Sequence, residues 1–314
     1  MKAAAPLGAR LADRDRLVGS VWGVGAALSY GVVVVVQRSL AKDHLPVATV
    51  VGGRYAVAAV LLVAAMVVLG RSPVPAPGER FRAGLLGVFG YVVHSSLFYL
   101  ALGHGSAAAV AMVFYLYPAV IVVIELVGRL RPVGRRVLAA PLFSGAGVAF
   151  VVATGERVTM TATGALLAVA ASIAVSIYLL SSSHLIRRSH PMATGAWVAA
   201  GVAFSMATGG TLLSGFRLPA EDVPALLLAG LATAGATGFV YAALLRLGAG
   251  PTAVFMALQS LVALVLAAVT LHEPITGSQV VGGAALVTGA ALAAGGPGRQ
   301  EAQHDEFVGA LPPE

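Results

Sequence analysis

Two ionisable side chains, Arg54 and His94, stand inside otherwise uncharged apolar stretches, and they are the first candidates for chemistry. Arg54 lies eight residues past Pro46, about 12 Å along a helix that rises 1.5 Å per residue. An arginine at mid-membrane depth costs roughly 2.5–3.5 kcal/mol on insertion scales, so it must face the helix bundle or an aqueous cavity. Its planar guanidinium could anchor an anionic or carboxylate group there, or serve a structural bond to backbone carbonyls. His94 is followed by Ser95 and Ser96, and its imidazole could take up a proton near neutral pH or simply hydrogen-bond inside the bundle. Tyr91 and Phe98 share its helix face at i−3 and i+4.

Pro118 cannot donate a backbone N–H, which leaves the Phe114 carbonyl short of a partner and predicts a helix kink. Kinked or broken helices facing each other at mid-membrane are where carriers place substrate. Tyr117, Gln259 and Ser260 belong on that wall, with Tyr30, Tyr99, Tyr241, Ser172, Ser176 and Tyr178 as further polar positions. A single Ser or Tyr can equally be helix-packing glue. Glu125, one turn before Arg129, reads as an interfacial ion pair.

The elements that hold these residues are set by composition. The chain has 314 residues, 58% hydrophobic and 11% charged, with mean hydropathy +0.90. Soluble globular chains carry about a quarter charged residues, so most of this chain faces lipid or buried helix. A spanning helix needs about 20 apolar residues. Runs free of Asp, Glu, Lys, Arg and His occur at 17–37, 105–124, 137–155, 158–183, 191–216, 223–245, 247–271 and 274–298. Two more, 45–70 with Arg54 and 83–103 with His94, bring the expectation to ten spans. The first run lacks an obvious cleavage site and is read as retained. Turn chemistry falls at Gly103–Gly105, Gly248–Pro251 and His272–Pro274.

Several functions are excluded on residue type. No cysteine is present, hence no thiolate nucleophile, iron–sulfur site or cysteine-based zinc site. Neither lysine, Lys2 or Lys42, stands in a phosphate-binding loop context, so the chain carries no ATPase of its own. His272-Glu273 is followed by Pro274, Ile275 and Thr276 rather than by a zinc-protease spacing, and the spans hold no Asp for an aspartyl dyad. No cofactor or metal is expected. The net charge of +7 comes from basic residues between apolar runs, which are topology signals rather than a nucleic-acid patch. With the N-terminus inside, fifteen of the twenty Lys and Arg fall in cytoplasmic segments and four (Arg38, Lys42, Arg157, Arg217) in outside loops. Both termini are therefore expected in the cytoplasm. Heavy use of Ala, Gly, Val and Arg points to a bacterial cytoplasmic membrane.

Ten spans divide into five plus five, and an odd number per half forces the halves into opposite orientations. A shift of 142 residues aligns Tyr99-Leu100-Ala101-Leu102 with Tyr241-Ala242-Ala243-Leu244, Pro132 with Pro274 and Gly147 with Gly289, giving twelve identities over the 51 positions from Tyr99 to Ala149. A shift of 145 aligns Pro46-Val47-Ala48-Thr49 with Pro191-Met192-Ala193-Thr194. The expected organisation is a cytoplasmic segment 1–16, a first repeat 17–155, a second repeat 156–298 and a disordered cytoplasmic tail 299–314.

On these features the chain resembles the drug/metabolite transporter superfamily, specifically its EamA-type carriers. The matching features are Arg54 in the second span, the Tyr-x-Ala-Leu segments closing the third and eighth, Pro118 in the fourth, and Leu271-His272-Glu273-Pro274 after the ninth. Arg131 stands where the first repeat of the family usually has Glu, and Ser260 where the second usually has Pro. The resemblance implies an all-α integral membrane protein of ten helices in two inverted five-helix repeats. It implies an alternating-access carrier for a small organic metabolite, such as an exporter of amino acids or related compounds, and not an enzyme. The alternatives are a channel or non-transporting scaffold, and an intramembrane enzyme.

Overall fold

In a computed structural model of the protein, the described residues are 7–128, 160–185, 189–247 and 249–294, with scattered positions between 139 and 150. Most of the expected fifth span, and the tail, lie outside them. Helices dominate, and no strand occurs among the described residues beyond one isolated bridge between Gly105 and Met160. The helices are α1 (Leu7–Lys42), α2 (Ala48–Val68), α3 (Arg80–Gly103), α4 (Ala107–Phe114), α5 (Tyr117–Val127), α6 (Ala162–Leu185), α7 (Met192–Ser214), α8 (Val223–Leu247), α9 (Ala249–Thr270) and α10 (Gly277–Ala294).

Seven segments are long and apolar enough to cross a membrane: α2, α3, α7, the part of α1 from Leu17, 107–124 (α4 running into α5), Ala162–Ser181 of α6, and Ala220–Val240 leading into α8. Their burial pattern is that of a lipid-solvated bundle. Large apolar side chains face outward, with Leu212 at 88% and Leu213 at 91% exposure, while Gln37, Thr49, Arg54, His94, Ser172, Ser176, Gln259 and Ser260 are buried. That inversion of the soluble pattern follows from hydrocarbon as solvent, where only the bundle interior can satisfy polar groups.

Three boundaries differ from the sequence expectation. First, α1 continues past the apolar run to Lys42, which brings Arg38 and Lys42 onto helix rather than loop. Next, α9 begins at Ala249, so most of the Gly248–Pro251 turn is helical; Pro251 fits there because the first helical turn needs no N–H from it. Finally, the kink expected at Pro118 is a complete interruption. Tyr115 and Leu116 form a turn, the Leu116 N–H reaching back only to the Val113 carbonyl at 3.1 Å, and Pro118 sits in the first turn of α5.

Much of the packing between the helices has a regular pattern. Helix α1 packs on α8 and α9, and α6 on α3 and on the α4–α5 pair; α2 packs on α7 and α8, and α7 on α2 and α3; α4 packs on α9. Exchanging α1, α2, α3 and α4–α5 with α6, α7, α8 and α9 maps this set of contacts onto itself, with α2–α7 and α4–α9 each their own counterpart. Between α3 and α7 the backbones themselves touch: a Cβ on Gly87 would lie 2.3 Å from the Val198 carbonyl oxygen, and one on Gly201 2.9 Å from that of Gly84. Small residues at such crossings are what membrane helices use to approach closely.

Candidate functional site

Wide π-helical turns set the orientation of the central residues. One spans Ala48–Gly52, directly before Arg54 in α2; another spans Leu86–Tyr91, directly before His94 in α3. A π turn inserts one residue into the α-helical period, which rotates everything after it by about 100° and often marks functional positions. Here it turns Arg54, Tyr55, Tyr91 and His94 toward one another.

Arg54 is 4% exposed. One terminal nitrogen donates to the Thr233 hydroxyl of α8 at 3.4 Å, and the guanidinium carbon lies 4.3 Å from the ring centre of Tyr55. Its Nε finds no acceptor among the described residues. Tyr91 is the hub of the aromatic cluster: its ring meets Tyr55 at 5.3 Å, His94 at 4.8 Å and Tyr178 of α6 at 4.8 Å, each edge-on. His94 stacks on Phe114 at 5.3 Å, and Phe114 also meets Phe98, Tyr115 and Tyr117. Tyr30 of α1 faces Tyr91 and Thr237, and the Tyr55 hydroxyl lies 3.3 Å from Ser95. Side chains from α1, α2, α3, α4, α6 and α8 thus converge on one polar, tyrosine-rich centre.

A second patch lies where the chain breaks between α4 and α5. The Tyr115 hydroxyl donates a short hydrogen bond to the side-chain oxygen of Gln259 in α9. Tyr117 packs on Tyr115 at 5.6 Å, and its carbonyl lies 3.1 Å from the Ser176 hydroxyl, which also reaches the Ser172 carbonyl at 2.7 Å. Ser260 is fully buried beside Gln259.

Of the residues singled out from sequence, Arg54, Tyr91, His94 and Tyr30 come together in the first cluster, and Tyr117, Gln259, Ser260 and Ser176 gather around the helix break. Tyr99 stands apart from both. Its hydroxyl faces the carbonyls of Leu40 and Leu45 at 3.2 and 2.9 Å, tying down the corner between α1 and α2. The side chains of Tyr241, Pro118 and Glu125 lie outside the described residues. Tyr55, Tyr115 and Phe114 were not anticipated as site residues; the signal available for Tyr55 was only its adjacency to Arg54.

Each face of the bundle is tied. On the face holding the α1 C-terminus, the Glu273 carboxylate takes Arg38 Nε at 3.2 Å, Lys42 Nζ at 3.6 Å and the Ala107 backbone N–H at 3.1 Å. Arg38 also donates to the Leu102 carbonyl. A small cavity of about 10 Å³ adjoins this knot, lined by Ser106, Ala108, Glu273, Pro274 and Gln279. On the opposite face, Glu79 accepts from the backbone and hydroxyl of Ser189, and Arg71 lies 2.7 Å from Nε2 of His190. Burial, followed by the Arg71 charge, lowers the His190 pKa from its ordinary value.

A family model described as the EamA-like transporter family matches residues 17–153 and again 162–295. The chain belongs to the EamA-like transporter family. This EamA-like chain is accordingly a multi-pass membrane protein of a transporter family, with a small molecule and the bilayer as its partners. No curated protein matches it. A solved structure described only as "Crystal structure of protein" superposes with a TM-score of 0.63 at 18% identity, covering 86% of this chain and 96% of that one. At that identity the likeness concerns the fold alone.

Proposed function

We propose that this EamA-like chain is a secondary, alternating-access carrier of a small organic metabolite in a bacterial cytoplasmic membrane. The observation that carries the reading is the buried polar cluster around Arg54, Tyr91 and His94, assembled from helices of both family-matched halves. Polar and ionisable side chains inside a membrane bundle are expensive to bury and mark substrate paths. Ten spans in two inverted five-helix repeats, with both termini cytoplasmic, fit the exchange pattern of helix contacts and the positive-inside distribution. In that topology Arg38–Glu273 closes the outer face and Glu79–Ser189 the inner one, each joining the first half to the second. Rocking of one repeat against the other would break one tie while keeping the other, exposing the cluster to alternate sides. Amino acids or related compounds, organic acids among them, are the substrate range we propose.

Purified protein in proteoliposomes, loaded with candidate metabolites, tests this. Saturable flux that a second substrate competes away supports a carrier. Flux that rises linearly with concentration would identify a channel, and folded protein without flux for any metabolite a scaffold.

A further inference from the structure

We infer that the Arg54 cluster is a recognition site for the carboxylate of a small monoanionic metabolite with a flat apolar or aromatic body. The inference rests on the carrier reading for its place in a transport cycle, but the binding chemistry stands on the geometry alone.

Charge balance comes first. The guanidinium is buried, and a guanidinium cannot shed its charge as a carboxylate or imidazole can. Yet the ion pairs among the described residues join Arg38 and Lys42 to Glu273, not Arg54 to anything. The acids whose side chains are described, Asp43, Glu79, Glu221, Asp222 and Glu273, all lie in linkers or at helix ends. The Arg54 surroundings hold hydroxyls and aromatic rings instead. Thr233 offers one acceptor at 3.4 Å, and its own proton is committed to the Ala229 carbonyl at 2.7 Å. The Tyr55 ring offers a π face. Neither neutralises the charge, and Nε retains an unused N–H. A carboxylate on the guanidinium edge would take Nε and a terminal nitrogen together, the paired geometry that favours arginine at carboxylate sites.

The number of charges is also constrained. Among the described residues that one cation has no counter-ion and so asks for one negative charge, and Thr233, Tyr30, Tyr55 and Tyr91 provide no second fixed cation for a dianion. Among the described residues no carboxylate faces the cluster to receive an ammonium, so the site favours an organic acid over a zwitterion. The rings of Tyr55, His94 and Tyr178, each already meeting Tyr91 edge to face, then supply aromatic surface for a flat body, since edge-to-face contacts are the preferred aromatic geometry. Opening of either face would let these rings part around the ligand.

The test uses the full chain in nanodiscs and three probes that share a benzyl group and differ in their charged groups: phenylacetate, phenylalanine and phenethylamine. Binding is read by calorimetry and by thermal shift, for wild type, Arg54→Lys, Arg54→Gln and Thr233→Val, each checked for a monodisperse folded state. Phenylacetate is expected to bind the wild type, phenylalanine more weakly and phenethylamine not at all. Arg54→Gln should weaken phenylacetate by about tenfold or more, the size of a lost charge-assisted pair. Arg54→Lys keeps the charge but loses Nε, so it should fall between the two and keeps the test usable if the Gln variant does not fold. Preference for phenethylamine, or phenylacetate binding that ignores both Arg54 variants, overturns the inference. Phenylacetate binding that needs Arg54 but goes with no flux would leave the site standing and remove the carrier reading. Saturable flux of some other metabolite that phenylacetate neither competes with nor binds alongside would do the reverse.

Discussion

Arg38 Nε lies 3.2 Å from the Glu273 carboxylate, across 235 residues of sequence, and joins the end of α1 to the linker between α9 and α10. Both side chains are 14% exposed. The carboxylate simultaneously caps the start of α4 through the Ala107 N–H, where the helix dipole favours negative charge. Three elements from both halves therefore depend on one carboxylate.

Glu273→Gln should weaken all of these contacts at once. The expected loss is about 1–3 kcal/mol of stability, the range for a hydrogen-bonded charged partner removed from a mostly desolvated place. Opening of the face can be read directly, because the native chain has no cysteine. A cysteine placed at Ala108, which is buried against the knot, should react faster with an impermeant maleimide in Glu273→Gln than in the parent. Equal rates would show that the knot does not hold this face shut.

Tyr115→Phe should cost about 1–3 kcal/mol by leaving the buried Gln259 oxygen without its donor. Combining it with Gln259→Leu should recover part of that loss, since removing both partners is cheaper than stranding one. A double-mutant cycle on thermal unfolding checks this; strictly additive losses would mean that the pair does not couple α9 to the helix break.

Gly87→Ala should destabilise the protein by about 1–3 kcal/mol, because the new methyl would press on the Val198 backbone, which cannot swing aside like a side chain. Gly84→Ala, on the same helix with nothing within 4 Å of the added Cβ, is the control and should be neutral or slightly stabilising. Similar melting temperatures for the two variants would show that α3 and α7 are not in backbone contact.

The Arg71–His190 contact should fail at acidic pH. The Arg71 guanidinium donates to Nε2, and the Met192 N–H approaches Nδ1 at 3.3 Å, so both ring nitrogens are approached by donors. A neutral imidazole can accept at one nitrogen and an imidazolium at neither. With the folded pKa lowered by burial and by Arg71, the unfolded chain takes its proton first. The stability this contact contributes is intact above the ordinary histidine value near 6.5 and falls as pH drops from there toward the depressed folded value. Trp197, whose indole N–H donates to the Pro73 carbonyl in the same linker, reports the change by fluorescence. His190→Gln should flatten the pH dependence, and an unchanged profile in that variant would assign it to another group.

Arg54 and His94 could be found without coordinates because a charge or imidazole in an apolar run is conspicuous, and the bilayer permits it only in the interior. Tyr55 and Tyr115 could not. A tyrosine in a span reads equally as packing or as site, and what separates them is the partner opposite: Arg54 above Tyr55, Gln259 facing Tyr115. Tyr99 shows the converse, a motif residue whose hydroxyl serves the α1–α2 corner. The π turns before Arg54 and His94 also have no residue signature, although they decide which way those side chains point.

By itself the sequence determined the solvent, the helical class, the apolar runs and the duplication, because hydrocarbon forces every spanning backbone to bond locally and so writes its demand into consecutive residues. Only the tertiary structure decided which polar groups meet. The Arg38–Glu273 knot, the Tyr115–Gln259 bond and the aromatic cluster around Arg54 each join residues from distant helices. Their energy comes from proximity that no local pattern encodes.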